Sequence, residues 1–260
     1  MEKDNVKLML LDSHVHTDKY SPDDIKKVAA ECRAHDIKLL SVAMCIPSYE
    51  NIKKLSHEYE FVIPSFGIHP WKAKEYSNSL ALLDEYLSES KFIGEIGLDK
   101  RFLKYASPYK DQLEVFEYII SHHNTKNKLL NLHTSGAEIE VVNLLEKYSC
   151  NNFMVHWYSG GLDVIDNYLA LGGFFSIGVE ILFSEHIQSI AKRLPLDRIL
   201  IETDNPSAYS WLLGKELNDG MPTLLFKVID KICEVKKTLP EEFLIQLKKN
   251  QANILETTIN

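Results

Sequence analysis

Eight short apolar runs, each followed by a longer segment with helical spacing, constrain this chain more than any other feature. The runs cover residues 7–11, 38–43, 61–66, 92–96, 128–132, 153–155, 174–177 and 198–201. Helical periodicity fills intervening segments such as 23–34, 80–88, 109–121 and 141–148. Strands that alternate with helices pair in parallel, because each helix carries the chain back to the starting edge of the sheet. Eight such units in 260 residues predict one α/β domain over residues 1–260. The expected architecture is a (β/α)8 TIM-type barrel, regular or distorted, with a C-terminal helix. An open, doubly wound sheet is the architectural alternative.

Local chemistry marks several boundaries. Ser21-Pro22-Asp23-Asp24 supplies an N-cap hydroxyl, a proline at the first helical position and acids in the first turn. Thr238-Leu239-Pro240-Glu241 has capping-box spacing and predicts a final helix running towards Leu255. Residues 206–222 lack periodicity, contain Gly214 and Gly220, and predict a long loop after the last strand. No apolar run is long enough to cross a bilayer, and the first residues, MEKDNVK, lack the apolar stretch of a secretory signal. Cys32, Cys45, Cys150 and Cys233 are widely spaced with no C-x-x-C pair, as expected of reduced thiols in a cytoplasmic protein. A net charge of −8 argues against broad electrostatic attraction to DNA. It leaves room for a nucleic-acid substrate at a site where metal ions offset the local charge.

The strongest local signal is Asp12-Ser13-His14-Val15-His16, at the end of the first predicted strand. Alternate strand residues share a face, so both imidazoles can point into a barrel mouth, with Asp12 one step deeper and able to orient one of them. Four more metal-capable side chains end or follow predicted strands: Glu95, His133, His156 and Asp204. That rim is where barrel enzymes place catalytic groups. Six nitrogen and oxygen donors exceed the needs of one tetrahedral zinc. They suit two divalent ions sharing a carboxylate, with Glu95 as the candidate bridge, and the donor set accepts Mg, Mn or Zn. Trp71 and Trp211 fall in predicted loops near this rim and are candidates for stacking on the bases of a single strand.

These residues carry a family resemblance. Asp12–His16, Gly67-Ile68-His69-Pro70, Ile93-Gly94-Glu95-Ile96-Gly97-Leu98-Asp99, Leu132-His133, Val155-His156 with Ser159-Gly160, and Leu200-Ile201-Glu202-Thr203-Asp204-Asn205-Pro206 occur in family order. Together they resemble the TatD family of metal-dependent deoxyribonucleases, within the amidohydrolase-like barrels. The resemblance implies one ion on His14, His16, Glu95 and Asp204, and a second on Glu95, His133 and His156. It implies Asp204 and Glu95 as catalytic carboxylates, Asp204 accepting a proton from the attacking water, and His69 contacting a substrate phosphate. It also implies phosphodiester cleavage in DNA, commonly with Mg and often 3′ to 5′ on single-stranded ends.

The sequence departs from the family in its cations. His133-Thr134-Ser135-Gly136 lacks the arginine that often stands two residues after the histidine, and Gly214-Lys215 is followed by Glu216 and Leu217. Fewer cations weaken the grip on phosphate and its salt dependence. Two other readings therefore stand beside the nuclease: hydrolysis of a non-nucleic-acid amide or ester, and a subunit active only inside a multi-protein assembly such as an antiviral defence complex.

Overall fold

The computed structural model describes residues 9–102, 104–214 and 221–256. Its strands are β1 (Leu10–Val15), β2 (Ile37–Val42), β3 (Val62–Phe66), β4 (Phe92–Gly97), β5 (Leu129–His133), β6 (Phe153–Val155), β7 (Phe174–Ile177) and β8 (Ile199–Ile201). All neighbouring pairs are parallel and the strand order follows the sequence, so the sheet is a TIM-type barrel rather than an open doubly wound sheet. The seam between the first and last strands closes just beyond their ends. Asp204 N–H donates to His14 O (3.0 Å) and His16 N–H donates to Asn205 O (2.9 Å). Three of the four residues in these bonds, His14, His16 and Asp204, are predicted ligands.

The helices are α1 (Pro22–His35), α2 (Ile46–Glu58), α3 (Asp84–Glu89), α4 (Tyr109–Ser121) and α5 (Glu138–Lys147). They continue with α6 (Ile165–Ala170), α7 (Glu185–Arg193), α8 (Ala208–Leu213), α9 (Leu224–Lys236) and α10 (Pro240–Glu256). Ser21 caps α1 as expected, its hydroxyl accepting from Asp24 N–H at 3.1 Å. The Thr238 box does not form. Helix α10 starts at Pro240, and the Thr238 hydroxyl donates to Glu242 Oε2 at 3.3 Å instead. The predicted loop 206–222 is also revised, because its first half contains α8; Lys215, Glu216, Leu217 and Gly220 lie outside the described residues.

Inward-facing Leu11, Leu40, Met154 and Leu200 fill the lower barrel together with Ile254 of α10. Gln251 of α10 donates to Leu11 O at 2.9 Å, so the last helix plugs the N-terminal end of the barrel. The larger cluster lies between the outer strand faces and the helices, for example Ile37, Phe66, Phe116 and Phe175. With one end plugged and the wall packed, the opening left for ligands is the C-terminal rim.

Candidate metal centre

Glu95 lies inside β4, two residues before its end, the other predicted ligands lie near or just past strand ends, and the barrel brings all six together. His14 lies in β1 and His16 just after it. His14 Nδ1 meets Asn131 Oδ1 at 2.9 Å, and the Asn131 amide nitrogen donates to Ser13 O at 3.0 Å, which sets the direction of the amide. His16 Nδ1 meets Val42 O at 3.1 Å. Both partners are acceptors, so each Nδ1 carries the ring proton and each Nε2 presents a lone pair.

Those two Nε2 atoms face two carboxylate oxygens. His14 Nε2 lies 3.6 Å from both Glu95 Oε2 and Asp204 Oδ1, and His16 Nε2 lies 3.5 and 3.4 Å from the same atoms. His14 Nε2 is fully buried and makes no hydrogen bond. Lone pairs facing anionic oxygens, with no proton between them, form an arrangement that a shared cation satisfies.

The other oxygen of Glu95 faces a second group. Glu95 Oε1 is 3.0 Å from His133 Nδ1, 3.0 Å from His156 Nε2 and 3.2 Å from His69 Nε2. One carboxylate thus divides the imidazoles into two sets, one on each oxygen. Burial opposes ionisation of Glu95, but the His69, His156, His14 and His133 rings hold its carboxyl well below the usual range. For Asp204, burial is likewise outweighed by His16, His14 and His156, and its pKa is lowered. Both carboxylates are therefore anionic near neutrality.

Neighbouring groups hold the second set of rings. His133 Nε2 lies 3.0 Å from Asp99 Oδ2, which also accepts from Trp71 Nε1 at 2.8 Å. Asp99 Oδ1 accepts from the Arg101 and Phe102 N–H groups, each at 2.8 Å. Burial raises the Asp99 pKa, yet its bonds from His133, Phe102 and Trp71 prevail and bring it to about 2. His156 Nδ1 lies 3.6 Å from Glu202 Oε1, which accepts from Trp157 N–H at 2.8 Å. Asp204 and Trp157 both hold left-handed backbone, with φ of 50° and 40°, an uncommon conformation for non-glycine residues that the surrounding bonds must stabilise.

The structure places three predicted roles differently. Asp12 does not orient a ligand ring. A register irregularity between Asp12 and Val15 breaks the strict alternation, and the Asp12 carboxylate accepts from Thr203 N (3.0 Å) and Oγ1 (2.6 Å), fixing the chain after β8. Burial, the largest influence on it, raises the Asp12 pKa to about 8. His69 is buried, and its Nδ1 accepts from Trp71 N–H at 3.1 Å, so its proton lies on Nε2 and points at Glu95. Burial pushes its pKa down to about 4, so the ring is neutral and both nitrogens are engaged inside the protein, with no N–H left for a phosphate in this arrangement. Trp71 and Trp211 both line the mouth, but each begins or sits in a helical turn rather than an irregular loop.

Asn131 and Asp99 are positioning residues that sequence reasoning missed, and Glu202 is a buried carboxylate beside the His156 ring that it also missed. The available signal was spacing: Asn131 precedes His133 by two strand positions, and Asp99 and Glu202 lie within the motif segments. Replacing Asn131 with Ala is expected to free the His14 ring and weaken metal binding about 10- to 100-fold. Competition with a chelator measures this, and unchanged affinity would show that the ring is held without the amide.

Above these residues lies a cavity of about 480 Å³, lined by His16, His69, Glu95, His133, His156 and Asp204 at its floor. A family model described as TatD related DNase matches residues 11–256. The chain belongs to that family. As a TatD-family protein it is a metal-dependent hydrolase. It is 30% identical over 216 residues to human deoxyribonuclease TATDN3, a match covering 76% of this chain and 78% of that one. It is 27% identical over 243 residues to the Bacillus subtilis uncharacterized metal-dependent hydrolase YabD, covering 90% and 94%. The TatD homolog YJJV from Escherichia coli shares the fold with a TM-score of 0.82 at 20% identity, over 95% of this chain and 98% of that one. A TatD family hydrolase from Entamoeba histolytica does so with a TM-score of 0.80 at 17% identity, over 95% and 97%. Among the described residues no helix is long and apolar enough to cross a membrane.

Proposed function

We propose that this protein hydrolyses phosphodiester bonds in DNA at a two-metal centre, acting on single-stranded ends in the cytosol. The observation that carries this reading is the Glu95 carboxylate, with two imidazoles on one oxygen and three on the other at the floor of an open cavity. His14, His16, Glu95 and Asp204 would hold one ion, and Glu95, His133 and His156 the other. Such ions, when bound, make water a nucleophile at neutral pH and offset charge on the phosphoryl oxygens.

The chain's own residues supply the rest. Asp204 is ionised and its side chain is 18% exposed towards the cavity, so it can take the proton of an attacking water. His69 Nε2 stands 3.2 Å from the Glu95 oxygen that His133 and His156 also face. Asp99 sets the His133 ring, and the Glu202 carboxylate stands 3.6 Å from His156 Nδ1. Four imidazoles with two carboxylates accept Mg or Mn and suit Zn at least as well.

The test is incubation of end-labelled single-stranded DNA with the protein and Mg, Mn or Zn, beside a chelated control. Metal-dependent shortening from one end supports the reading. An intact oligonucleotide with two ions bound, by elemental analysis, favours an amide or ester substrate or an absent protein partner. Trp211 is 61% exposed at the mouth, and Trp211→Ala is expected to weaken DNA binding about tenfold while leaving the bound metal unchanged. Unchanged binding would remove Trp211 from the strand path.

A further inference from the structure

The segment between β4 and α4 reads Lys100-Arg101-Phe102-Leu103-Lys104-Tyr105, with three cations and two aromatics in a chain of net charge −8. It is tied to the metal centre rather than free. Lys100 N–H donates to Ser135 O at 2.8 Å, and the Arg101 and Phe102 N–H groups bind the same Asp99 carboxylate that holds His133. Any ligand gripped by this segment is therefore placed in register with the ligands of the floor.

The cations divide by availability. Lys100 is committed to Glu140 and to the Tyr109 ring, and Lys104 stands 5.5 Å from the Tyr105 ring centre. Arg101 lines the cavity. One Nη donates to Ser159 Oγ at 2.8 Å, the other lies 3.8 Å from Glu138 Oε1, and the side chain is 45% exposed. A guanidinium has five N–H groups in a planar fork, so donors remain for an oxyanion. Ser159 holds the fork over the cavity, which lowers the ordering cost of binding.

The aromatics form a connected arc along the same rim. Ring centres are 5.2 Å apart for Trp71 and Tyr105, 6.2 Å for Trp71 and Phe102, 5.7 Å for Phe102 and Trp211, and 5.9 Å for Trp211 and Trp157. The inner rings brace one another largely edge to face, while Tyr105 and Trp211 remain 56% and 61% exposed. Exposed rings beside a fixed guanidinium complement an unpaired strand, whose bases offer π-faces and whose phosphates offer charge. A duplex matches poorly, because its bases are already stacked and must first be extruded.

We infer that Arg101, Tyr105 and Trp211 form a strand clamp, with a backbone phosphate on Arg101 and unpaired bases against the two exposed rings. This rests on the nuclease reading and adds what selects the substrate. The test follows metal-dependent cleavage of an end-labelled thymidine oligonucleotide over a range of salt, in the full chain.

Arg101→Gln is expected to raise KM about tenfold and to flatten the slope of log KM against log salt by about 0.7, the value for one phosphate on a single strand. Tyr105→Ala is expected to raise KM about tenfold without changing that slope, and Tyr105→Phe to restore it. Lys249→Gln, which removes an exposed cation on α10, keeps the wild-type KM and slope. Wild-type KM and slope in both Arg101→Gln and Tyr105→Ala, with cleavage intact, would overturn the clamp and leave the nuclease reading standing. A wild-type protein that neither binds nor cleaves the oligonucleotide at low salt with Mg, Mn or Zn would overturn both.

Discussion

Glu95→Gln is expected to reduce turnover by about 10³-fold or more and to strip the protein of most of its bound metal. The substitution keeps the side-chain shape and removes only the charge. That charge lies within 3.6 Å of five imidazole nitrogens, from His14, His16, His69, His133 and His156. An amide placed there offers a neutral oxygen to one set of rings and an N–H2 group to the other. A nitrogen donor aimed at lone pairs cannot share a cation with them, so on the proposed two-ion reading one side of the centre loses a ligand. Loss of metal-derived stabilisation worth about 4 kcal/mol corresponds to about 10³ in rate. Asp204→Asn offers the contrast, because Asp204 contacts only His14 and His16 of these rings. It should leave the His133–His156 side loaded while lowering turnover about 10²- to 10⁴-fold through the lost proton acceptor. Elemental analysis beside steady-state rates separates the two variants, and full metal occupancy in Glu95→Gln would remove Glu95 from the bridging position.

The barrel was legible because its strands are short apolar runs separated by helical periodicity, and β6, β7 and α4 match their expected bounds. The candidate ligands were legible because a parallel barrel collects the ends of all eight strands on one rim, whatever their separation in the chain. Asp12 was misplaced for a local reason. Strict alternation assumes an unbroken ladder, and the register irregularity between Asp12 and Val15 ends that assumption two residues before His14. Helix α8 was hidden because six residues show too little periodicity to distinguish from a loop. The neutral state of His69 depends on a hydrogen bond from Trp71 N–H and on burial, neither of which a histidine in a turn reveals. Arg101 and Tyr105 carry no spacing that marks them in the sequence, and the aromatic arc exists only once α8 carries Trp211 against Phe102. Strand-end chemistry is periodic and can be read from spacing; a rim assembled from separate loops is not.

Gly97→Ala should be among the most destabilising single substitutions in the chain, lowering Tm by about 10 °C or more or preventing soluble expression. Gly97 ends β4 with φ of 145°, a conformation that side chains rarely adopt, and its missing Cβ would stand 1.9 Å from His133 O. The obstacle is backbone of the neighbouring strand, which cannot rotate away as a side chain can. Relief requires β4 and β5 to separate, yet Gly97 and His133 are register partners and Leu98 N–H donates to that same carbonyl at 3.0 Å. The close approach of these strands brings Glu95 and His133 to 3.0 Å, so stability and the metal centre depend on one contact. Gly214→Ala separates the two components of the effect. Gly214 also has positive φ, at 61°, but a Cβ there meets nothing within 4 Å, so only the backbone penalty of about 1 kcal/mol applies. Thermal unfolding of both variants decides the point: equal losses would mean that φ alone matters, whereas a much larger loss in Gly97→Ala assigns the cost to the strand contact. A folded Gly97→Ala protein should also bind metal less tightly, because any relaxation that clears His133 O moves one ligand away from the other.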